Sequence, residues 1–233
     1  MIARVSTSLA CACLALAPVA RAQQGAPAGG VVAPVLAPMV HAVTASAGGL
    51  TVSAMPNEPL GRVAAVSGRA PAGRLVHLQR QDPKTARWRQ VASARADRSG
   101  SFVAHWRPSH IGPTALRAIL HATSAPLNVM VYKPALATWY GPGFFGNQTA
   151  CGVPLTPDTQ GVAHRTLPCG TQVAITYGGR SVVVPVIDRG PYGVAGVAWD
   201  LTQATALALG ITTTSTIGAV RLRPAQPGAT PSK

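Results

Sequence analysis

Residues 161–192 decide the fold. Gly161-Val-Ala-His-Arg-Thr-Leu-Pro-Cys-Gly-Thr171 leads into Gln172-Val-Ala-Ile-Thr-Tyr177, a Gly178-Gly179 pair, Arg180-Ser-Val-Val-Val-Pro-Val-Ile187 and Asp188-Arg-Gly-Pro-Tyr192. Two runs rich in β-branched residues joined by paired glycines read as a β-hairpin, because tight hairpin turns favour residues that tolerate positive φ. The same stretch carries His164 and Asp188 in a chain with only six acidic residues: Glu58, Asp82, Asp97, Asp158, Asp188 and Asp200. Acid–base chemistry needs a titratable group held in position, so few carboxylates make a short candidate list.

Outward from the hairpin, Ala137-Thr-Trp-Tyr140 reads as the start of a strand before a glycine-rich loop, Gly141-Pro-Gly-Phe-Phe-Gly146. Asp200-Leu-Thr-Gln-Ala-Thr-Ala-Leu-Ala-Leu-Gly210 reads as a helix, with Asp200 capping its first turn, Gln203 completing a capping box and Gly210 stopping it. A last strand is expected from Ile217 to Leu222. Residues 134–223 then form a six-strand-class β-barrel with one short helix, and a disordered tail is expected over 224–233.

Residues 49–133 show short alternating runs beginning at Leu50, Arg62, Arg74, Trp88, Ser101 and Leu116. Turn signals separate them, including Asp82-Pro-Lys-Thr85 and Asp97-Arg-Ser-Gly100. That rhythm predicts a β-sandwich, so the whole chain is expected to be all-β. The run of Trp88 and the Asp97-x-x-Gly100-x-Phe102 phrase resemble immunoglobulin-like or fibronectin-like modules. Trp88 and Trp106 read as core or edge packing rather than sugar platforms. Residues 23–48, rich in Ala, Gly, Pro and Val without an acid, read as a flexible tether.

Residues 1–22 read as an export signal: Arg4 supplies charge, Val5 to Val19 is apolar, and Ala20-Arg21-Ala22 is a small-x-small cleavage site. A lipid anchor on Cys11 or Cys13 is the rival reading, though Ser8-Leu9-Ala10 matches an attachment box poorly. No segment is long and apolar enough for a transmembrane span. Cleavage near Ala22 leaves Cys151 and Cys169, an even pair that favours a disulfide in an oxidising compartment, with two free thiols as the alternative. Paired metal-ligand spacing is missing, so no metal and no cofactor are expected. The formal charge is +14 from 20 Lys+Arg against 6 Asp+Glu. A basic exported chain is drawn to polyanions such as wall polymers, and no nucleic-acid motif accompanies the charge.

The third region resembles the RlpA family, whose double-psi β-barrel is shared with expansins, barwin-like proteins and family 45 glycoside hydrolases. The motifs run in order: Trp139-Tyr140-Gly141, Thr149-Ala-Cys-Gly152, Ala163-His-Arg-Thr-Leu-Pro168, Gly170-Thr171, Asp188-Arg-Gly-Pro191, Asp200-Leu-Thr202 and Leu209-Gly210. The resemblance implies a secreted, cell-envelope lytic transglycosylase acting on peptidoglycan glycan strands, with His164 and Asp188 lining the cleavage groove. Asp188 is expected to serve as acid/base with His164 assisting. Partial burial after the apolar run Val182–Ile187 is expected to favour its acid form, and Arg189 to oppose that if the two side chains meet. Trp139, Tyr140, Arg165, Arg189, Tyr192 and Asp200 are expected to contact substrate, and a monomer is expected.

Two departures stand out. Val153 occupies a position where bacterial relatives often carry Glu, and Asp158 is either its substitute or a plain turn residue. Cys151 and Cys169 stand where many relatives have Ser and a hydrophobic residue. Without the Glu, the alternative is an expansin-like protein that binds or loosens wall glycans without cutting them.

Overall fold

The computed structural model describes residues 36–121 and 123–223. The expected export signal, the tether up to residue 35 and the tail from 224 lie outside the described residues. The strands of the first half are β1 (Val43–Ala47), β2 (Leu50–Ala54), β3 (Asn57–Pro59), β4 (Ala64–Arg69), β5 (Leu75–Gln81), β6 (Trp88–Arg95), β7 (Ser101–Trp106), β8 (Gly112–Leu120) and β9 (Thr123–Tyr140). One sheet runs β1-β2-β4-β7. The other sets β6, β5, β8 and the first half of β9 side by side, with β3 parallel to β9.

Alternation builds the core between these sheets. In β7, Phe102, Ala104 and Trp106 are buried while Val103 and His105 face solvent. They meet Val76, Leu78, Leu116, Leu127 and Val129 of the opposite sheet. Each such large side chain contributes about 1.5–3 kcal/mol on burial. Trp106 is therefore core. Trp88 lies under the Arg117 guanidinium, 4.1 Å from its ring centroid, so neither is an open sugar platform.

Residues 36–48 are not a tether. Val43, Ala45 and Ala47 alternate with Thr44 and Ser46, and this period-2 pattern pairs as β1 with β2 across Gly48-Gly49, both at positive φ. Just before it, the Ala37 N–H donates to the Ala208 carbonyl (2.7 Å) and the Val40 N–H to Gly179 (2.7 Å). The Arg180 guanidinium also donates to the Ala37 carbonyl.

The second half adds β10 (Val162–Ala163), β11 (Gln172–Tyr177), β12 (Arg180–Asp188), β13 (Val197–Thr202), α1 (Gln203–Leu209) and β14 (Ser215–Arg221). Ala137–Tyr140 ends a strand rather than starting one. β9 runs unbroken past residue 133, exchanging β8 for β14 and then pairing in parallel with β13. The ring β9-β14-β11-β12-β10-β13 closes on itself, which leaves its strands no free edge. Val162, Val173, Ile175, Val184, Val186, Leu201 and Ile217 fill it, with Leu209 from α1.

The helix cap also differs from expectation. Thr202, not Asp200, is the N-cap, its hydroxyl accepting from the Thr205 N–H (3.3 Å). Strand pairing of β13 continues through Thr202, so Asp200 stays in extended backbone. Gly210 closes the helix in the left-handed region at φ 77°.

Candidate functional site

Three adjacent strands position the site. In β10, Ala163 is in register with Asp188 of β12 on one side and Asp200 of β13 on the other. Val197, Trp199 and Leu201 point into the barrel, so Asp200 points out. On β12, Val184 and Val186 point inward, which would carry Asp188 inward too. The pairing skips a residue between Val186 and Asp188, and this bulge at Ile187 turns Asp188 to the outer face. Gly161 makes room for it, since a Cβ there would lie 2.6 Å from the Ile187 side chain.

Asp188 and Asp200 thus share a groove of about 340 Å³ with Thr138 and Tyr140 of β9, Arg189 and Tyr192. Two strand spacings separate the carboxylates' Cα atoms, roughly 10 Å. Phe144, from the glycine-rich loop, stands 57 % exposed at the rim and packs edge-on to Tyr140 with centroids 6.3 Å apart.

The two carboxylates have unlike surroundings. Asp188 Oδ1 accepts the Ala150 N–H (2.9 Å) and the Arg189 N–H (2.8 Å). Among the described residues, Asp200 Oδ1 accepts only the Thr138 hydroxyl (2.8 Å). Burial pushes the Asp200 carboxyl above the usual range, the Thr138 bond opposes this, and the charge of Asp188 adds to it. Burial, then the neighbouring Asp188 carboxylate through its charge and its acceptor oxygen, and last the charge of Asp200, hold the proton on the Tyr140 hydroxyl. That buried hydroxyl lies beside the Asp188 carboxylate without reaching full hydrogen-bonding geometry.

His164 stands apart. Its side chain does not line the groove. The ring packs on Trp199 with centroids 4.5 Å apart, and Nδ1 accepts the Thr166 N–H (3.2 Å) and the Leu167 N–H (3.1 Å). An accepting Nδ1 assigns the proton of the neutral ring to Nε2. Burial, then Arg165 and Arg189, lower the His164 pKa. Its link to Asp188 runs through backbone, His164 N–H to the Asp188 carbonyl (3.2 Å).

Of the residues expected to contact substrate, Tyr140, Arg189, Tyr192 and Asp200 line the groove. Trp139 does not, because it alternates to the barrel side of β9, where its indole N–H donates to the Thr212 carbonyl (3.1 Å). Arg165 donates to the Pro191 carbonyl (2.7 Å) and supports the groove from behind. Asp158 is exposed on a turn outside the groove, and Val153 does not line it either. Sequence reading missed Phe144 and Thr138. Phe144 is signalled only by an aromatic residue in a glycine-rich loop, and Thr138 by its place two residues before Tyr140.

Cys151 and Cys169 form a disulfide with Cα atoms 5.8 Å apart. Arg189 Nη2 lies 3.3 Å from the Cys169 sulfur, so the bridge and this groove residue touch. Among the described residues, no group of three His, Cys, Asp or Glu side chains is placed to hold a metal ion.

Residues 133–222 match the family described as lytic transglycolase. A probable endolytic peptidoglycan transglycosylase RlpA of Synechocystis sp. is 42% identical over 102 residues, 42% of this chain and 32% of that protein. One from Aquifex aeolicus is 44% identical over 82 residues, 34% of this chain and 36% of that protein. The endolytic peptidoglycan transglycosylase RlpA of Campylobacter jejuni is 42% identical over 59 residues, 24% of this chain and 22% of that protein. The chain therefore spans about a third or less of the length of these relatives. A biofilm-associated protein's BSP domain covers 79% of the chain at 13% identity and a TM-score of 0.25, too slight a likeness to bear on the fold. Residues 133–222 form a six-stranded double-psi β-barrel whose sequence is similar to that of these RlpA proteins.

Proposed function

We propose that this chain cleaves peptidoglycan glycan strands as a lytic transglycosylase, leaving 1,6-anhydro-muramic ends. The observation that carries the reading is a pair of carboxylates in unlike environments, facing one groove of a barrel similar to named peptidoglycan transglycosylases. Paired titratable groups whose surroundings push them apart mark acid and base roles.

Asp200, half-buried beside another negative charge, carries the proton of the pair and gives it to the glycosidic oxygen as the C1–O bond breaks. Asp188, oriented by two backbone N–H groups, takes the proton of the C6 hydroxyl as that oxygen bonds to C1. One carboxyl and one carboxylate remain, with positions exchanged, and solvent exchange restores them. Tyr140 offers substrate a protonated hydroxyl beside Asp188, while Phe144 and Tyr192 (68 % exposed) offer aromatic faces to sugar rings. His164 acts as a positioning residue: its Nδ1 ties down residues 166–167, and its backbone N–H tethers the Asp188 carbonyl.

This role requires export to the cell envelope, for which residues 1–22 supply the signal. No described helix is long and apolar enough to cross a membrane. The one ion pair among the described residues, Arg89–Asp82 (3.8 Å), leaves most cations free to meet anionic wall polymers.

Val153 favours a second reading, a wall-glycan binder without cleavage. Digestion of purified peptidoglycan with mass spectrometry separates the two. Anhydro-muramic products that vanish in Asp188→Asn, with glycan pull-down intact, support the enzyme. Pull-down without such products from the unaltered chain overturns it.

A further inference from the structure

A second cavity, about 450 Å³, lies where the sandwich meets the barrel and shares no residue with the groove. β3 supplies Asn57, Glu58 and Pro59, β9 supplies Tyr132 and Pro134, and β11 and β14 supply Thr176 and Ile217. Glu58 is only 7 % exposed, and no charge or hydrogen bond from a described residue offsets the burial of its carboxyl. Burial alone raises it to about 7. A buried carboxylate is stable only with a partner, and the protein brings none to this one.

The cavity's chemistry is that of an acceptor. Both amide hydrogens of Asn57 serve the barrel: Nδ2 donates to the Ser181 hydroxyl (2.8 Å) and the Thr176 hydroxyl (3.3 Å). Its Oδ1 therefore remains an acceptor with no donor among the described residues. Met55, Pro59 and Pro134 make apolar walls, and Arg62 is exposed in the lining. A single carboxylate lacks the several oxygen ligands a divalent cation takes. An ammonium, with three hydrogens to donate and no acceptor, matches the acceptors, and a methylene chain matches the walls.

We infer that this junction cleft is a second ligand site that takes a primary ammonium group carried on an aliphatic chain, with Glu58 as its counter-ion. Such a group is found on the side chain of a diamino acid. Binding requires the Glu58 carboxylate, so it weakens as pH falls below about 7. The other charged or titratable groups lining the cleft are Arg62 and Tyr132, whose hydroxyl burial pushes upward, and β11 and β14 add none to the lining.

Pentylammonium titrated into the full chain at pH 8, followed by amide NMR, tests the assignment. Saturable shifts at Met55, Glu58 and Ile217 are expected, with neutral pentanol giving none. Glu58→Gln should weaken binding at least tenfold while the spectrum keeps its folded dispersion, and Arg62→Ala should tighten it. Affinity should fall about tenfold per unit below pH 7. No saturable shift, equal affinity in Glu58→Gln, or shifts confined to Asp188 and Asp200 would overturn it. The site is independent of the cleavage reading. Asp188→Asn should bind pentylammonium as the unaltered chain does, and Glu58→Gln should leave glycan cleavage unchanged.

Discussion

The sandwich and the barrel use the same residue in opposite ways. In the sandwich, Asp82 accepts the N–H groups of Lys84 and Thr85, each at 3.0 Å. Asp97 accepts those of Ser99 (2.8 Å) and Ser101 (3.0 Å), and the Ser99 hydroxyl (2.7 Å). The Thr85 and Lys84 N–H groups hold the first below the ordinary carboxylate range; the Ser99 hydroxyl and Ser101 N–H do so for the second. These aspartates finish turns. In the barrel, Asp200 sits half-buried with one hydroxyl partner and rises instead. Asp188 takes two N–H bonds as a turn aspartate does, yet it faces the groove. Hydrogen bonding alone does not separate a structural acid from a chemical one; the surface it faces does.

The sharpest break of this contrast lies in the groove. Asp188→Asn and Asp200→Asn should each lower anhydro-muramic product formation by about 10²–10⁴-fold, the usual worth of a positioned acid or base. Asp97→Asn should leave the rate unchanged. Equal losses at Asp97 and Asp200 would erase the distinction. The rate should also fall as pH rises through the elevated Asp200 titration, because the donor loses its proton. In Asp188→Asn, carbon-detected NMR should find Asp200 titrating at lower pH, with the like charge gone.

Next in size is the disulfide, which closes a separation of 18 residues beside the groove and has no counterpart among the described residues of the sandwich. Replacing both cysteines by Ser should cost about 3 kcal/mol in denaturant unfolding. Glu58→Gln has the opposite sign. A carboxyl raised in the fold costs stability as pH climbs from its unfolded value towards 7, so the variant should gain at most about 1–2 kcal/mol at pH 8, after allowing for solvent at the cleft mouth. At pH 4 the two chains should unfold alike. Smallest is Asp97→Asn itself. Its lowered pKa supports the fold above the ordinary carboxylate range and that support is lost as pH falls through the lowered titration, so a slight drop in Tm is expected at pH 7 that shrinks in acid.

Much of the architecture was legible because strands obey local rules. The runs at Leu50, Arg74 and Ser101 became β2, β5 and β7, and the Gly178-Gly179 pair became the turn between β11 and β12. β1 was hidden by the Ala- and Gly-rich composition around it, although Val43, Ala45 and Ala47 already alternated. β9 was cut at 133 because a sequence window sees one hydrophobic rhythm and not the change of partners within it. Asp200 resembled a helix cap because it precedes an apolar run, whereas pairing with β10 and β9 keeps it extended.

The sequence by itself determined the all-β class, the ordered motifs of the barrel, the even cysteine pair and the short inventory of acids. Those features depend on residue type and spacing along the chain. Only the tertiary structure decided which acids meet. The bulge at Ile187 turns Asp188 outward beside Asp200, while His164, one residue beyond Ala163, packs on Trp199 instead. The physical reason is the two-residue period of a strand: one added residue reverses the face of all that follow, and that residue is defined only by the pairing of distant strands.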